Sequence, residues 1–235
     1  MDASMRQQRT EPHEITITVP GGQLGGALAL PDGAVGVVLF AHGSGSSRHS
    51  PRNRAVAGML QDAGLATLLM DLLTPDEAAV DEITREHRFN IPLLGDRVTA
   101  ALDWLASNDA TRGLPVGLFG ASTGAAAALR AAAARPDLVR AVVSRGGRPD
   151  LAGDALPRVQ APTLLIVGGY DTQVIQLNDL ARRQLHAPVQ LVLVPGATHL
   201  FEEPGTLATA SQLARDWLLQ HLAPAPSPSA IRSTS

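Results

Sequence analysis

The apolar pattern of this chain switches period repeatedly, and that switching constrains the fold more than any other feature. Six short, nearly unbroken apolar runs are each bounded by Gly, Pro or Asp: Val35–Ala41, Ala66–Met70, Pro115–Phe119, Val139–Val143, Pro162–Val167 and Val189–Val194. A strand can be apolar at successive positions only where both faces of its sheet are covered, and such sheets are mostly parallel. Helical patterns alternate with the runs, over Pro51–Ala63, Ile91–Ala106, Thr123–Ala134, Val174–Leu185 and Thr206–Leu222. Ile91–Ala106, for example, sets Leu94, Val98, Ala101, Leu102 and Leu105 on one face. This cadence predicts an α/β fold with helices on both sides of the sheet and right-handed crossovers. Ahead of it, His13–Val19 alternates and Gln23–Leu30 follows a Gly-Gly turn, which reads as an antiparallel hairpin. The total is a mostly parallel central sheet of about eight strands.

At 235 residues the chain suits one domain. We expect a polar N-terminal tail over 1–12, the domain over 13–222, and a disordered Pro/Ser/Ala-rich tail over 223–235. Thirteen residues, Arg148 to Gln160, link two strands. That is too short for a lid domain and predicts an open site for small or accessible substrates. The other long connection, residues 74–90, reads as a solvated loop with a short helix, or as a rim that contributes to substrate selection. No stretch approaches ~20 unbroken apolar residues, so no transmembrane helix is expected. A net charge of −3 without an Arg run argues against nucleic-acid or membrane partners. The first residues do not read as a signal peptide, so a cytoplasmic location is the default expectation.

Two absences prune the chemistry. The chain has no Cys, which excludes disulfides, thiolate nucleophiles and Cys-ligated zinc, and all 19 basic residues are Arg. Without Lys there is no Schiff base, no Ser–Lys dyad and no phosphate loop of the GK[ST] type.

Gly120-Ala121-Ser122-Thr123-Gly124 is G-x-S-x-G, and it stands between a strand and an Ala-rich helix. A sharp turn there lifts Ser122 Oγ clear of the sheet above the positive end of the helix. A serine needs a base, and the base an orienting acid. Of seven His, His199 follows the last strand and so lies at the sheet's carboxyl edge, where ligands of open α/β sheets bind. Asp171 also follows a strand. It reads as the acid or as the N-cap of the next helix, with Asp150, Asp154 and Glu202 as rivals. The chain order Ser, Asp, His fits the α/β-hydrolase arrangement. Thr123 N–H supplies one oxyanion donor. The loop His42–Ser47 supplies the other, from Ser44 N–H with Gly43 as the rival. His42 has no companion at metal-ligand spacing and reads as a loop-ordering residue. Arg145 has two readings, a grip for a substrate carboxylate or one half of an ion pair with the Ser46–Asn53 loop. Tyr170, beside the acid, lines the pocket or packs.

With these residues in view, the chain resembles the α/β-hydrolase superfamily over residues 13–222, and within it the lidless dienelactone-hydrolase-like branch. The His42-Gly43-Ser44-Gly45 loop, Ser122, Asp171 and His199 stand where that superfamily has its oxyanion loop, nucleophile, acid and base. Dienelactone hydrolases carry a Cys nucleophile, and here the position is Ser122. The resemblance implies a serine esterase for small-molecule esters, working through an acyl-enzyme without cofactor or metal. The same triad would serve a thioesterase, lactonase, acyltransferase or perhydrolase, and a non-catalytic small-molecule binding module is the reading from another class. Nothing in the sequence fixes an oligomeric state.

Overall fold

The computed structural model describes residues 10–223. The expected tails therefore fall almost wholly outside the described residues. The elements run β1 (His13–Val19), β2 (Gly22–Ala29), β3 (Val37–Ala41), α1 (Pro51–Asp62), β4 (Ala66–Met70), α2 (Pro75–Thr84), α3 (Ile91–Ser107), β5 (Val116–Ala121), α4 (Thr123–Ala134), β6 (Val139–Arg145), a 3₁₀ segment (Pro149–Arg158), β7 (Thr163–Gly168), α5 (Thr172–Arg182), β8 (Val189–Val194) and α6 (Thr206–Leu222). The eight strands form one sheet in the order β1-β2-β4-β3-β5-β6-β7-β8. The β1–β2 and β2–β4 pairs are antiparallel and the remaining five are parallel. This is the α/β-hydrolase fold.

The continuous apolar runs divide their side chains between two cores. Val37, Leu39 and Ala41 of β3 face one core, closed by α3 and α4, whereas Val38 and Phe40 face the other, closed by α1 and α6. Helix α4 is almost all Ala on its buried face, with Ala125–Leu129 and Ala131–Ala132 fully covered. Small side chains let it lie close to the sheet beneath the turn that begins it. Edge strand β8 departs from the expectation for its apolar run, since Leu193 is 44% exposed. It has a neighbour on one side only, β7.

Local signals set the helix starts. Ser50 accepts from Asn53 N–H and Pro51 occupies the first turn of α1. The 74–90 connection holds a ten-residue helix, α2, opened by a capping box in which Thr74 accepts from Glu77 N–H and Glu77 from Thr74 N–H. No separate lid intervenes between β6 and β7 among the described residues, only the 3₁₀ segment.

The strand order locates the functional edge. After β3 the chain steps outward to β4, then crosses back past β3 to β5. The loops leaving β3 and β5 therefore diverge at their carboxyl ends, and that divergence opens a crevice.

Candidate active site

Ser122 stands between β5 and α4 with φ 50° and ψ −124°, a left-handed conformation that costs a non-glycine residue about 1–3 kcal/mol. Gly124 makes the turn possible, because a Cβ there would lie 2.2 Å from Ala41 O and 2.4 Å from His42 O. Helix α4 can thus press against the end of β3. Ser122 and His199 line one cavity of about 270 Å³, together with Gly43, Ser44, Ser50, Arg52, Asn53 and Arg145.

His199 Nδ1 and Asp171 Oδ2 are 2.7 Å apart. With the proton on Nδ1 the ring donates to the carboxylate, and Nε2 is left as an acceptor. Asp171 is the N-cap of α5 by position, as one reading held, but its side chain makes no cap bond and its carboxylate faces His199 instead. The two loops approach closely because of Gly168, where a Cβ would fall 2.5 Å from Thr198 O. The rival acids are engaged elsewhere: Asp150 with Arg148, Asp154 with Arg130 and Arg158, and Glu202 with Arg52.

A residue that the sequence reading missed braces the histidine loop. Glu203 accepts from Thr198 N–H at 3.1 Å and from Thr198 Oγ1 at 2.6 Å. Those bonds hold its carboxyl below the usual range. The last helix, α6, begins three residues later at Thr206.

The expectation for the His42–Ser47 loop requires a correction. Ser44 N–H donates to Thr123 Oγ1 at 2.9 Å, so that amide is spent on fastening the loop to the Ser122 turn. Gly43 lies close to Ser122, since a Cβ there would be 3.0 Å from Ser122 Cβ. His42 orders the same loop from below. It is buried, its Nε2 accepts from Leu72 N–H at 3.2 Å, and its Nδ1 faces Gly43 O at 2.9 Å. Burial pushes its pKa down.

Tyr170 is corrected as well. It is 72% exposed, so it neither packs nor lines either of the two cavities on this rim. Its backbone explains this: Tyr170 N–H is committed to Ala197 O in the turn that leads to Asp171. Arg145 does line the cavity, buried against Phe119 and Phe201. Its partner from the Ser46–Asn53 loop is neutral Asn53, not a carboxylate. Burial, with Arg52 nearby, lowers its pKa to about 10.

A second cavity, of about 590 Å³, lies across the Gly43–Ser46 loop. Leu72, Leu73, Pro75, Ala78 and Leu94 supply its apolar wall. Helix α2 lines this cavity through Pro75, Ala78, Asp81 and Glu82. Its arginines are paired, Arg48 with Asp71 and Arg88 with Asp81. No group of three or more His, Cys, Asp or Glu suited to a metal occurs among the described residues, and no helix among them is long and apolar enough to cross a membrane.

Comparison with known proteins places this geometry among relatives. The family model described as "Dienelactone hydrolase family" matches residues 24–221. A crystal structure of a dienelactone hydrolase from Anabaena variabilis is 57% identical, with a TM-score of 0.90 over 92% of this chain and 100% of that one. A Xanthomonas campestris structure, described as an α/β serine hydrolase without lid, shares the fold at 23% identity and TM-score 0.72, covering 92% of this chain and 98% of its own. Curated proteins from two Mycobacterium tuberculosis strains, each named "Putative phosphoribosyl transferase", are 56% identical over 215 residues, 91% of this chain and 48% of theirs. The chain thus spans about half the length of those curated relatives.

Proposed function

We propose that this chain, which belongs to the dienelactone hydrolase family and shares its hydrolase fold, cleaves small carboxylic esters through an acyl-enzyme on Ser122. The observation that carries this reading is the 2.7 Å His199–Asp171 bond beside a cavity that His199 shares with a strained, turn-borne serine. The link from Ser122 Oγ to His199 Nε2 is the inferred step, and it rests on the two side chains facing the same space.

In this reading His199 takes the Ser122 proton as Oγ adds to the ester carbonyl, and returns it to the departing alkoxide. Water then repeats the sequence in reverse on the acyl-enzyme, with His199 again the base. Asp171 fixes the tautomer and offsets the charge of the imidazolium. The oxyanion is held by Thr123 N–H, in the first turn of α4, with Gly43 N–H as the second donor in place of Ser44. Losing one such donor typically costs ~10²–10³ in rate. Phosphoribosyl transfer, the activity in the name of the longer relatives, belongs on this view to the half of those proteins that this chain does not span.

Ser122→Ala is the direct test. We expect p-nitrophenyl acetate turnover to fall by at least ~10⁴-fold with a native far-UV spectrum, and labelling by a fluorophosphonate probe to disappear. A wild-type protein that is folded yet neither labels nor turns over would support the non-catalytic binding module instead.

A further inference from the structure

The two cavities on this rim meet at one loop. Gly43, Ser44 and Ser46 stand in the walls of both. A Cβ at Gly43 would lie 3.7 Å from Ser122 Oγ, so the 590 Å³ cavity begins beside that hydroxyl. Its volume is in the range of small-molecule sites. Five apolar side chains, from Leu72 to Leu94, supply one wall. The ionised groups of the other wall are spent mainly on one another. Arg48 pairs with Asp71 and with Glu14, and Arg88 Nε donates to Asp81 Oδ2 at 2.7 Å. Asp81 also accepts from the N–H groups of His87 and Arg88, at 2.9 Å each. Its carboxylate thereby closes the turn after α2 and holds that wall in place. The remaining carboxylate, Glu82, is exposed to solvent. A charged ligand group entering here would leave water without gaining a free counterion, whereas an alkyl or aryl group gains by burial.

We propose that the 590 Å³ cavity binds an uncharged apolar arm of the substrate, a short alkyl chain or a ring, and that Ala78 sets how large an arm it accepts. Pro75, Ala78 and Asp81 follow one another at helical spacing along the α2 wall. Ala78 is the smallest of them, so a longer side chain there would project into the space that the arm occupies. The assignment deepens the esterase reading and rests on it for the scissile bond, which stays at Ser122.

Matched esters test it. The wild type should favour p-nitrophenyl hexanoate over the acetate by about 50-fold in kcat/KM, each fully buried methylene being worth up to ~4-fold. It should also favour the hexanoate over the p-nitrophenyl hemiester of adipate, which carries a carboxylate at the end of a chain of the same length. Hexyl acetate against ethyl acetate puts the same question to the alcohol side, and the series that shows the preference assigns the arm. Ala78→Phe, which fills the cavity, and Leu73→Gln, which makes its wall polar, should each bring the chain-length ratio towards one, mainly through KM. The second variant guards against misfolding of the first. Equal handling of long and short esters in both series would overturn the proposal. So would a preference for the adipate hemiester, or variants that slow long and short esters alike.

Binding is read separately from turnover. N-phenyl-1-naphthylamine, an uncharged dye that brightens in apolar surroundings, should bind the wild type and be displaced by hexan-1-ol. Ala78→Phe should bind it about 10-fold more weakly, in line with the discrimination an apolar pocket achieves by size. If Ser122 proves inert while the wild type binds the dye and Ala78→Phe does not, the apolar site stands and the esterase reading falls. If esters are cleaved through Ser122 with neither chain-length preference nor dye binding, the apolar site falls and the esterase reading stands.

Discussion

Arg97 and Arg145 are both less than one-tenth exposed, yet the fold treats them in opposite ways. Arg97, on α3, donates to Glu77 Oε1 at 2.6 Å and to Pro20 O at 2.8 Å. It binds the β1–β2 turn, α2 and α3 into one corner, with its charge compensated inside the protein. Arg145 has a neutral partner and two aromatic faces. A chain that supplies a carboxylate at one buried guanidinium and not at the other, beside the candidate nucleophile, leaves one cation compensated inside the protein and one uncompensated. The largest effect should come from breaking the first arrangement. Glu77→Gln retains the capping-box acceptor of α2 but leaves Arg97 uncompensated, and should cost ~3 kcal/mol in urea unfolding. A loss below about 1 kcal/mol would mean that Arg97 draws its stability from the Pro20 carbonyl alone.

The same measurement on Arg145 should go the other way. Arg145→Met replaces an uncompensated buried cation by a flexible apolar side chain between two phenylalanines. We expect the folded state to gain about 1–2 kcal/mol, the relief of desolvation exceeding the lost ring contacts. Asn53→Asp should also stabilise, by a smaller margin of about 1 kcal/mol, because its own carboxylate must be buried to form the pair. A clear loss of stability in Arg145→Met would make Arg145 a structural residue like Arg97 and erase the contrast.

The parts of this molecule legible in its sequence are those written in local pattern. The six apolar runs and the alternating hairpin ahead of them located the eight strands, and the strand-turn-helix context of Gly120–Gly124 located the strained backbone of Ser122. The short helix expected within the 74–90 connection is present as α2, and the T-x-x-E signature at Thr74–Glu77 marks its start. What local pattern could not carry was the spending of hydrogen bonds across the chain. Ser44 and Thr123 are 79 positions apart, and only their meeting engages the Ser44 amide that the sequence leaves free as a donor. Arg145 and Asn53 are separated by 92. An ion pair was as reasonable an expectation for that loop as a free cation, until Asn53 proved to be the residue within reach.

A third buried base completes the contrast, because unlike arginine it can lose its charge. His42 accepts from Leu72 N–H through Nε2 and is deeply covered, so its folded pKa lies below the ordinary 6.5. Below pH 6.5 the unfolded chain takes up a proton that the native chain resists, so stability falls as the solution is acidified through that region. Above it both states are neutral at this site and the effect vanishes. His221, also depressed by burial, adds in the same direction. The carboxylates held low by their partners, Asp81 and Asp179 among them, lose their contribution only at more acidic pH. Unfolding between pH 7.5 and 5 should therefore show stability rising with pH, and His42→Gln should flatten that slope while His221 sustains the remainder. The variant should also slow ester turnover modestly at every pH, since the ring ties the Gly43 loop to the end of β4. An unchanged slope in His42→Gln would show that the ring accepts its proton without cost in the folded state, and that the loop above the candidate site does not depend on a neutral imidazole.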